Sequence, residues 1–272
     1  MINFSAITSS THSYNFHTHT QFCDGHATIQ ELVEEAINRQ FKHLGFTPHG
    51  PLNVESPCNM SRADVVPFVN EVRRMQAIHA SAIHIYAGME MDFLNTRQFT
   101  ELTQCTMAAQ LDYRIGSVHF IPAFDDTDQY IDIDGRFERF KPKMSLYFHD
   151  DIEAVVKSYF NQQMLMVETG GFDIIGHFDK IGLNASLYSA GIDEQPWYDR
   201  LVINLLEAIL DHGYIIEINT KAWQQHNRFF PNQKYFPLLK KYNAPIIVNS
   251  DAHYPALIDS GRPEALQLLK HC

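Results

Sequence analysis

The sequence predicts an α/β protein whose parallel strands close into a barrel, and three observations predict it. Short apolar runs alternate with amphipathic, helix-spaced stretches about seven times along the chain, the order that builds strand–helix–strand units. Nearly every apolar run ends in a histidine or a carboxylate, and groups at the carboxyl ends of distant strands meet only if those strands form a barrel. The chain has 272 residues, 45% of them hydrophobic, enough to bury a full core without staples. No internal repeat, low-complexity tract or compositional break divides it, so residues 1–272 read as one domain.

The elements follow in order. YNFH (14–17) reads as the first strand. Over 27–40, Ile29, Leu32, Val33, Ala36 and Ile37 recur at helical spacing, and Thr28 is placed to cap them. HLGFT (43–47) is a short buried strand. A second helix is expected over 61–80, opened by Ser61 and Asp64 in a capping-box arrangement with Asp in place of Glu. IHIYAGMEM (83–91) reads as strand, 96–110 as helix and YRIGSVHF (113–120) as strand. Residues 121–148, rich in Asp, Pro and Lys, read as an irregular insertion or lid. A helix at about 149–166 leads to the strand FDIIGHF (172–178). A further helix over 197–213 stops at Gly213, before the strand YIIEIN (214–219). Helix-like residues 232–242 precede APIIVNSDAH (244–253), and a last helix is expected near 262–271.

Composition narrows the function. The formal charge of −11 disfavours a protein that coats long nucleic acid through phosphate contacts. No apolar run reaches the ~20 residues of a membrane span, and MINFSAITSS lacks a basic stretch followed by an apolar one, so no secretory signal is expected. Cys23, Cys58, Cys105 and Cys272 show no CxxC spacing, which suggests neither a zinc knuckle nor a disulfide framework and fits a reduced cytoplasmic setting. Fifteen histidines is a high count, and histidine is the commonest metal ligand.

The chemistry sits at the strand ends. In a strand, residues i and i+2 point the same way, so His17 and His19 share a face, as do Asp251 and His253. His49, Glu90, His119 and His177 end four other apolar runs, and YIIEINT offers Glu217, Asn219 and Thr220 instead. Any one such histidine is more often structural than a ligand. The set is different, because burying so many polar groups without partners costs several kcal/mol each, and cations remove that cost. His12, His26, His43, His79, His84, His149, His212, His226 and His271 lack this setting.

Taken together, FHTHTQFCDG, GFTPHG, AGMEMD, IGSVHF, IIGHFD and NSDAH resemble, in their order, the PHP (polymerase and histidinol phosphatase) superfamily. IGSVHF, ETGGFDIIGHFD and IEINT resemble its histidinol-phosphate phosphatase branch. The resemblance implies a distorted seven-stranded (β/α)7 TIM-like barrel and three divalent metal ions, manganese, zinc or iron. It implies nine ligands: His17, His19, Asp24, His49, Glu90, His119, His177, Asp251 and His253. Pro48 stands where the family generally has Asp, which removes a supporting hydrogen bond rather than the ligand His49. The resemblance leaves the third group of the first motif open between Asp24 and His26; Asp24 is favoured because Gly25 lets a short carboxylate bend back, and an aspartate there in place of histidine shifts preference toward manganese or iron over zinc.

The implied reaction is hydrolysis of a small phosphomonoester, L-histidinol phosphate in histidine biosynthesis, by metal-activated water in an in-line displacement. His119, Asp251 and His253 are the candidate catalytic residues, the last two as proton relays to the leaving oxygen. Lys180, Lys221, Arg228 and Arg262 are candidates for phosphate contact, and Glu217 and Asn219 for reading the substrate's amine and imidazole. Asp125, Asp126 and Asp128 resemble a calcium loop only superficially, because the terminal glutamate is misplaced. Three rivals are weighed: the same chemistry on another small phosphate or short nucleotide, an amidohydrolase-type deaminase, and a silent metal-stapled binding module. Glu90 and His253 argue against the second, and the absence of a vacant ligand position against the third.

Overall fold

The structure, a computed structural model, describes residues 2–107 and 109–272. Its strands are β1 (Tyr14–Asn15), β2 (His43–Phe46), β3 (His84–Asp92), β4 (Tyr113–Ser117), β5 (Phe120–Pro122), β6 (Tyr130–Asp132), β7 (Ile174–Ile175), β8 (Ile215–Asn219) and β9 (Ile246–Asn249). The helices are α1 (Phe4–Ser10), α2 (Ile29–Asn38), α3 (Val65–His79), α4 (Thr96–Met107), α5 (Phe137–Tyr147), α6 (Ile152–Thr169), α7 (Ile181–Tyr188), α8 (Pro196–Asp211), α9 (Trp223–His226), α10 (Phe236–Lys241) and α11 (Arg262–His271). Seven strands form one parallel sheet in the order β1-β2-β3-β4-β7-β8-β9. The barrel expected from the sequence is present, and its distortion lies where the ends meet. Between β1 and β9 the backbone makes a single bridge, Thr18 to Ala252. Side chains complete the seam: Asn249 Oδ1 accepts from Phe16 N at 2.9 Å, and Asn15 Nδ2 donates to Ser250 Oγ at 2.6 Å.

Strand alternation sorts the interior into two layers. On β4 it turns Tyr113, Ile115 and Ser117 inward, and on β8 Ile215, Glu217 and Asn219. The lower layer is an apolar cluster of Phe4, Tyr14, Phe16, Tyr113, Ile115, Ile174 and Ile247. Helix α1 carries Phe4 into it, edge-on to Phe16 and Tyr113 with ring centroids 5.0 and 5.5 Å away. The upper layer is polar and holds the functional residues. Outside the sheet a larger core joins Leu32 of α2, Phe68 of α3, Val155 of α6 and Leu205 of α8 to the outward faces of the strands.

Several elements differ from expectation. Thr28 caps α2 in a full capping box with Glu31, but Ser61 makes no such cap. Its hydroxyl donates to Asp64 Oδ2 at 2.7 Å, and residues 62–64 form a 3-10 turn ahead of α3. Residues 121–148 are not irregular. They belong to the antiparallel β5–β6 hairpin and α5, anchored by buried Ile121, Ile131, Phe140 and Met144. Helices α1 and α7 are short elements that the periodicity does not mark. Helix α8 ends before Gly213, which sits at φ 76°. Cys23, Cys58 and Cys272 are free thiols; the side chain of Cys105 lies outside the described residues.

The layer boundary depends on Tyr113, whose hydroxyl donates to the Phe16 carbonyl at 2.6 Å. Gly45 and Gly88 make room for its ring: a Cβ on Gly45 would lie 2.1 Å from Tyr113 Oη, and one on Gly88 2.5 Å from Cζ. Gly45→Ala must therefore displace a buried ring, an overpacking cost of about 1–3 kcal/mol. The expected result in urea unfolding is a lower midpoint at unchanged slope; an unchanged midpoint would mean the ring is free to move.

Candidate metal centre

The carboxyl ends of the sheet deliver ten polar residues to one place. His17 and His19 follow β1 and stand with rings 5.3 Å apart. His49 bridges to Glu90 beyond the end of β2. Glu90 and Asp92 close β3, and His119 and His177 follow β4 and β7. Asp251 and His253 follow β9. Asp24 returns to the cluster through a turn at Gly25, where a Cβ would come within 2.3 Å of Thr20 N. His177 and Asp251 take positive φ, 24° and 51°. For residues with a Cβ this costs on the order of 1–3 kcal/mol, and such strain collects at functional sites.

Glu90 is the hub. Its Oε2 lies 3.2 Å from His17 Nε2, 3.3 Å from His19 Nε2 and 3.2 Å from His49 Nδ1. Its Oε1 lies 2.9 Å from His177 Nε2 and 3.6 Å from His119 Nε2, and accepts from Ser117 Oγ at 2.6 Å. Asp251 Oδ1 is 3.1 Å from His19 Nε2 and 3.5 Å from His253 Nδ1. Asp24 spans His19 and His253 at 3.2 and 3.3 Å. The His26 ring stacks instead on Tyr254, centroids 4.5 Å apart. Among the described residues, five overlapping triads have potential ligand atoms all within 4.8 Å of one another. Together they use all nine positions named from the sequence, and Asp92 as a tenth.

These atoms do not satisfy one another. His17 Nε2, His19 Nε2, His49 Nδ1 and Asp24 Oδ1 are buried without a hydrogen-bond partner, although each of them lies close to an oppositely charged or polar atom. Atoms that crowd together at 3–4 Å and yet point past each other fit a shared ion, since two ligands each about 2.1 Å from one cation sit roughly that far apart. The electrostatics agree. Burial opposes ionisation of Glu90 and Asp251, yet His49, His17 and His119 around Glu90, and Lys221, His17 and His19 around Asp251, hold both carboxyls well below their ordinary range. Burial pulls His17 down too, but Glu217, Glu90 and Asp251 overturn it and raise the imidazole to about 10. The pocket therefore demands positive charge. His177 and His253 stay neutral, at about 4 and about 3, mainly through burial and then through nearby cations. A mixed set of imidazoles and carboxylates of this kind suits divalent transition metals.

A second layer orients the first. Glu217 Oε1 binds His17 Nδ1 at 2.7 Å and accepts from Asn249 Nδ2 at 2.9 Å. Asn219 Nδ2 donates to Glu217 and Asp251 at 3.1 and 3.2 Å. Holding the far nitrogen of a ligand histidine fixes its tautomer and direction. Both residues are fully buried beneath the cluster, which corrects the expectation that they read the substrate. Arg262 and Arg228 also need correcting. Arg262 is clamped to the Val248 and His12 carbonyls and to Asp259, away from the strand ends. Arg228 is buried against Asp193 at 2.6 Å and Asp179 at 3.7 Å. Lys180 and Lys221 do reach the site. Lys180 Nζ pairs with Asp134 at 2.8 Å, and Lys221 Nζ lies 3.3 Å from Asp251 Oδ1 and 3.1 Å from His253 Nε2.

Above the cluster opens a cavity of about 610 Å³, lined among others by Asp24, His49, Asp92, His119 and His253. A second, of about 600 Å³, is lined by Lys180, Leu183, Asn184 and Phe230, and the two share Asp134, Gly135, Arg136 and Lys221. Asp92 and Asp134 were not singled out from the sequence. For Asp92 the signal was there: it stands two residues beyond Glu90 in AGMEMD, the spacing that marks His17 and His19.

Comparison with known proteins follows the same lines. The family model for the PHP domain matches residues 15–221. The chain is 24% identical over 279 aligned residues to a Schizosaccharomyces pombe protein named "Probable histidinol-phosphatase", covering 98% of this chain and 86% of that one. It is 24% identical over 254 residues to the histidinol-phosphatase of Bacillus subtilis, covering 87% and 92%. Among solved structures, the histidinol phosphate phosphatase of Lactococcus lactis, complexed with zinc, L-histidinol and phosphate, superposes with a TM-score of 0.75 at 21% identity, covering 95% of this chain and 92% of that one.

The geometry sets an order of metal loss. His119→Ala, Asp92→Ala and Asp251→Ala are each expected to lower the metal bound per chain, and Asp24→Ala to lower it more than His26→Ala. Elemental analysis of the purified variants checks this. Full occupancy in the Asp251 variant, or greater loss in the His26 variant, contradicts the arrangement.

Proposed function

The chain belongs to the PHP domain family, and we propose that within it the protein is a metal-dependent phosphatase that hydrolyses L-histidinol phosphate to L-histidinol and phosphate. The observation that carries the reading is the convergence of ten imidazole and carboxylate residues around Glu90 at the floor of an open cavity. The substrate is supported by the names of the Bacillus and Lactococcus relatives. With that substrate the reaction belongs to histidine biosynthesis, as the sequence resemblance implies, and the cysteine pattern fits a cytoplasmic setting.

His17, His19, Asp24, His49, Glu90, His119, His177, Asp251 and His253 would hold three divalent ions, zinc, manganese or iron, with Asp92 supporting His49 and His119. Bound there, such ions make water nucleophilic near neutral pH and stabilise the phosphoryl oxygens as charge develops. The chain supplies the rest. Glu217 and Asn219 keep His17 and Asp251 in place. Burial lowers the Lys180 ammonium's affinity for its proton, but Asp134, Asp251 and Glu90 more than offset this and keep it charged. It stands ready for an anionic substrate. His253 and Asp251 remain the candidates for passing a proton to the leaving oxygen, and Lys221, whose Nζ is 3.1 Å from His253 Nε2 and 3.3 Å from Asp251 Oδ1, stands beside both.

The decisive experiment is kcat/KM over a panel of phosphomonoesters, with metals quantified on the same sample. Chelation is expected to abolish activity and Mn²⁺ or Zn²⁺ to restore it. Histidinol phosphate is expected to exceed p-nitrophenyl phosphate by about 100-fold or more, roughly 3 kcal/mol of differential binding in the transition state. A flat panel would point to another small phosphate, and silence with metals bound would leave a binding module.

A further inference from the structure

The two cavities meet at Asp134, Gly135 and Arg136, where helix α5 begins. Most charges around this mouth are spoken for. Lys180 pairs with Asp134, Lys143 with Asp132 and Lys221 with Asp251. Arg136, Glu138 and Arg139 are exceptions. All three are exposed, and among the described residues none makes a side-chain ion pair or hydrogen bond. Arg136 and Arg139 both line the cavity above the metal cluster, Arg136 as the extended N-cap of α5 and Arg139 in its first turn. Glu138 lines the second cavity, beside Leu183, Asn184 and Phe230. Two guanidinium groups stand unpaired in a chain of net charge −11. Adjacent Glu138 makes no ion pair with either, and the next carboxylates in sequence, Asp132 and Asp134, are already taken by Lys143 and Lys180.

Guanidinium groups grip phosphate through paired, directional donors. A carboxylate with no partner suits an ammonium or imidazolium. We infer that the first turn of α5 sorts the substrate by charge: Arg136 and Arg139 bind the phosphoryl oxygens turned away from the metal cluster, and Glu138 binds the cationic end of the organic group in the second cavity. The inference rests on the phosphomonoesterase reading for its substrate. It names the class as phosphomonoesters that carry an amine or imidazole, and it places the reading of that cation on Glu138 rather than on buried Glu217.

The test uses the metal-loaded protein and three measurements: KM against kcat for histidinol phosphate and for p-nitrophenyl phosphate, binding of inorganic phosphate by calorimetry, and metal content. The double variant Arg136→Ala/Arg139→Ala is expected to raise KM for both substrates and to weaken phosphate binding about tenfold or more, at least the loss of one of its two charge-assisted contacts, with metals retained. Arg139→Lys in the Arg136→Ala background should recover part of that loss. Glu138→Gln is expected to raise KM for histidinol phosphate at least about tenfold more than for p-nitrophenyl phosphate. Equal shifts for the two substrates in Glu138→Gln, or an unchanged phosphate affinity in the double variant, overturn the inference. A parent that hydrolyses no phosphomonoester refutes the enzymatic reading and with it the role of Glu138. The phosphate titration then still decides the arginines: they stand as an anion site if their removal weakens binding, and fall if the parent binds no phosphate.

Discussion

Everything in this molecule is arranged around the burial of negative charge. Glu90, Asp92, Asp251 and Glu217 are almost wholly removed from solvent, and isolated carboxylates cannot be so placed without a large desolvation penalty. Imidazoles offset part of it, and His17, raised to about 10, shows how strongly the site calls for positive charge. Protons and divalent ions are alternative ways to meet that demand, and only ions also satisfy the nitrogens that point past their carboxylate neighbours. The cost of leaving the demand unmet explains why His177 and Asp251 tolerate left-handed backbone. Those turns aim side chains that regular strand geometry would not.

The layered interior serves this arrangement. Phe4, Phe16 and Tyr113 close the lower half of the barrel with an aromatic plug, and the polar half above opens to the cavity. Tyr113 belongs to both halves, with its ring in the plug and its hydroxyl on the Phe16 carbonyl one residue before His17. Glu217 extends the connection upward. It contacts His17, Asn249, Asn219 and the backbone of His177, and so ties the ends of β1, β7 and β9 to β8.

Much of this was legible in the residues. Two-residue periodicity placed His17 with His19 and Asp251 with His253, and the structure brings all four together. Even β7, only two residues long, stood out because Ile174 and Ile175 precede His177. What escaped was what depends on depth or on distant partners. Glu217 and Asn219 end a strand like the others, and nothing local says that they lie one layer below the cavity. Arg228 looks like a surface cation until Asp193 and Asp179 fold over it. Helix α1 has too few residues for a period to show, and the hairpin in 121–148 is masked by its aspartates, although Ile131 and Ile133 alternate with Asp132 and Asp134. Asp92 was a different kind of miss, because the rule that found the other pairs also covers it.

The seam between β1 and β9, closed by one backbone bridge and a few side chains, has a consequence for how the protein matures. Residues 15–18 and 249–252 share this junction, so the constellation is incomplete until position 253 has left the ribosome. A growing polypeptide can assemble the middle strands early, but it cannot finish the cage. An ion that needs the full set of ligands must therefore wait for residue 253, and the junction is the last place to lock.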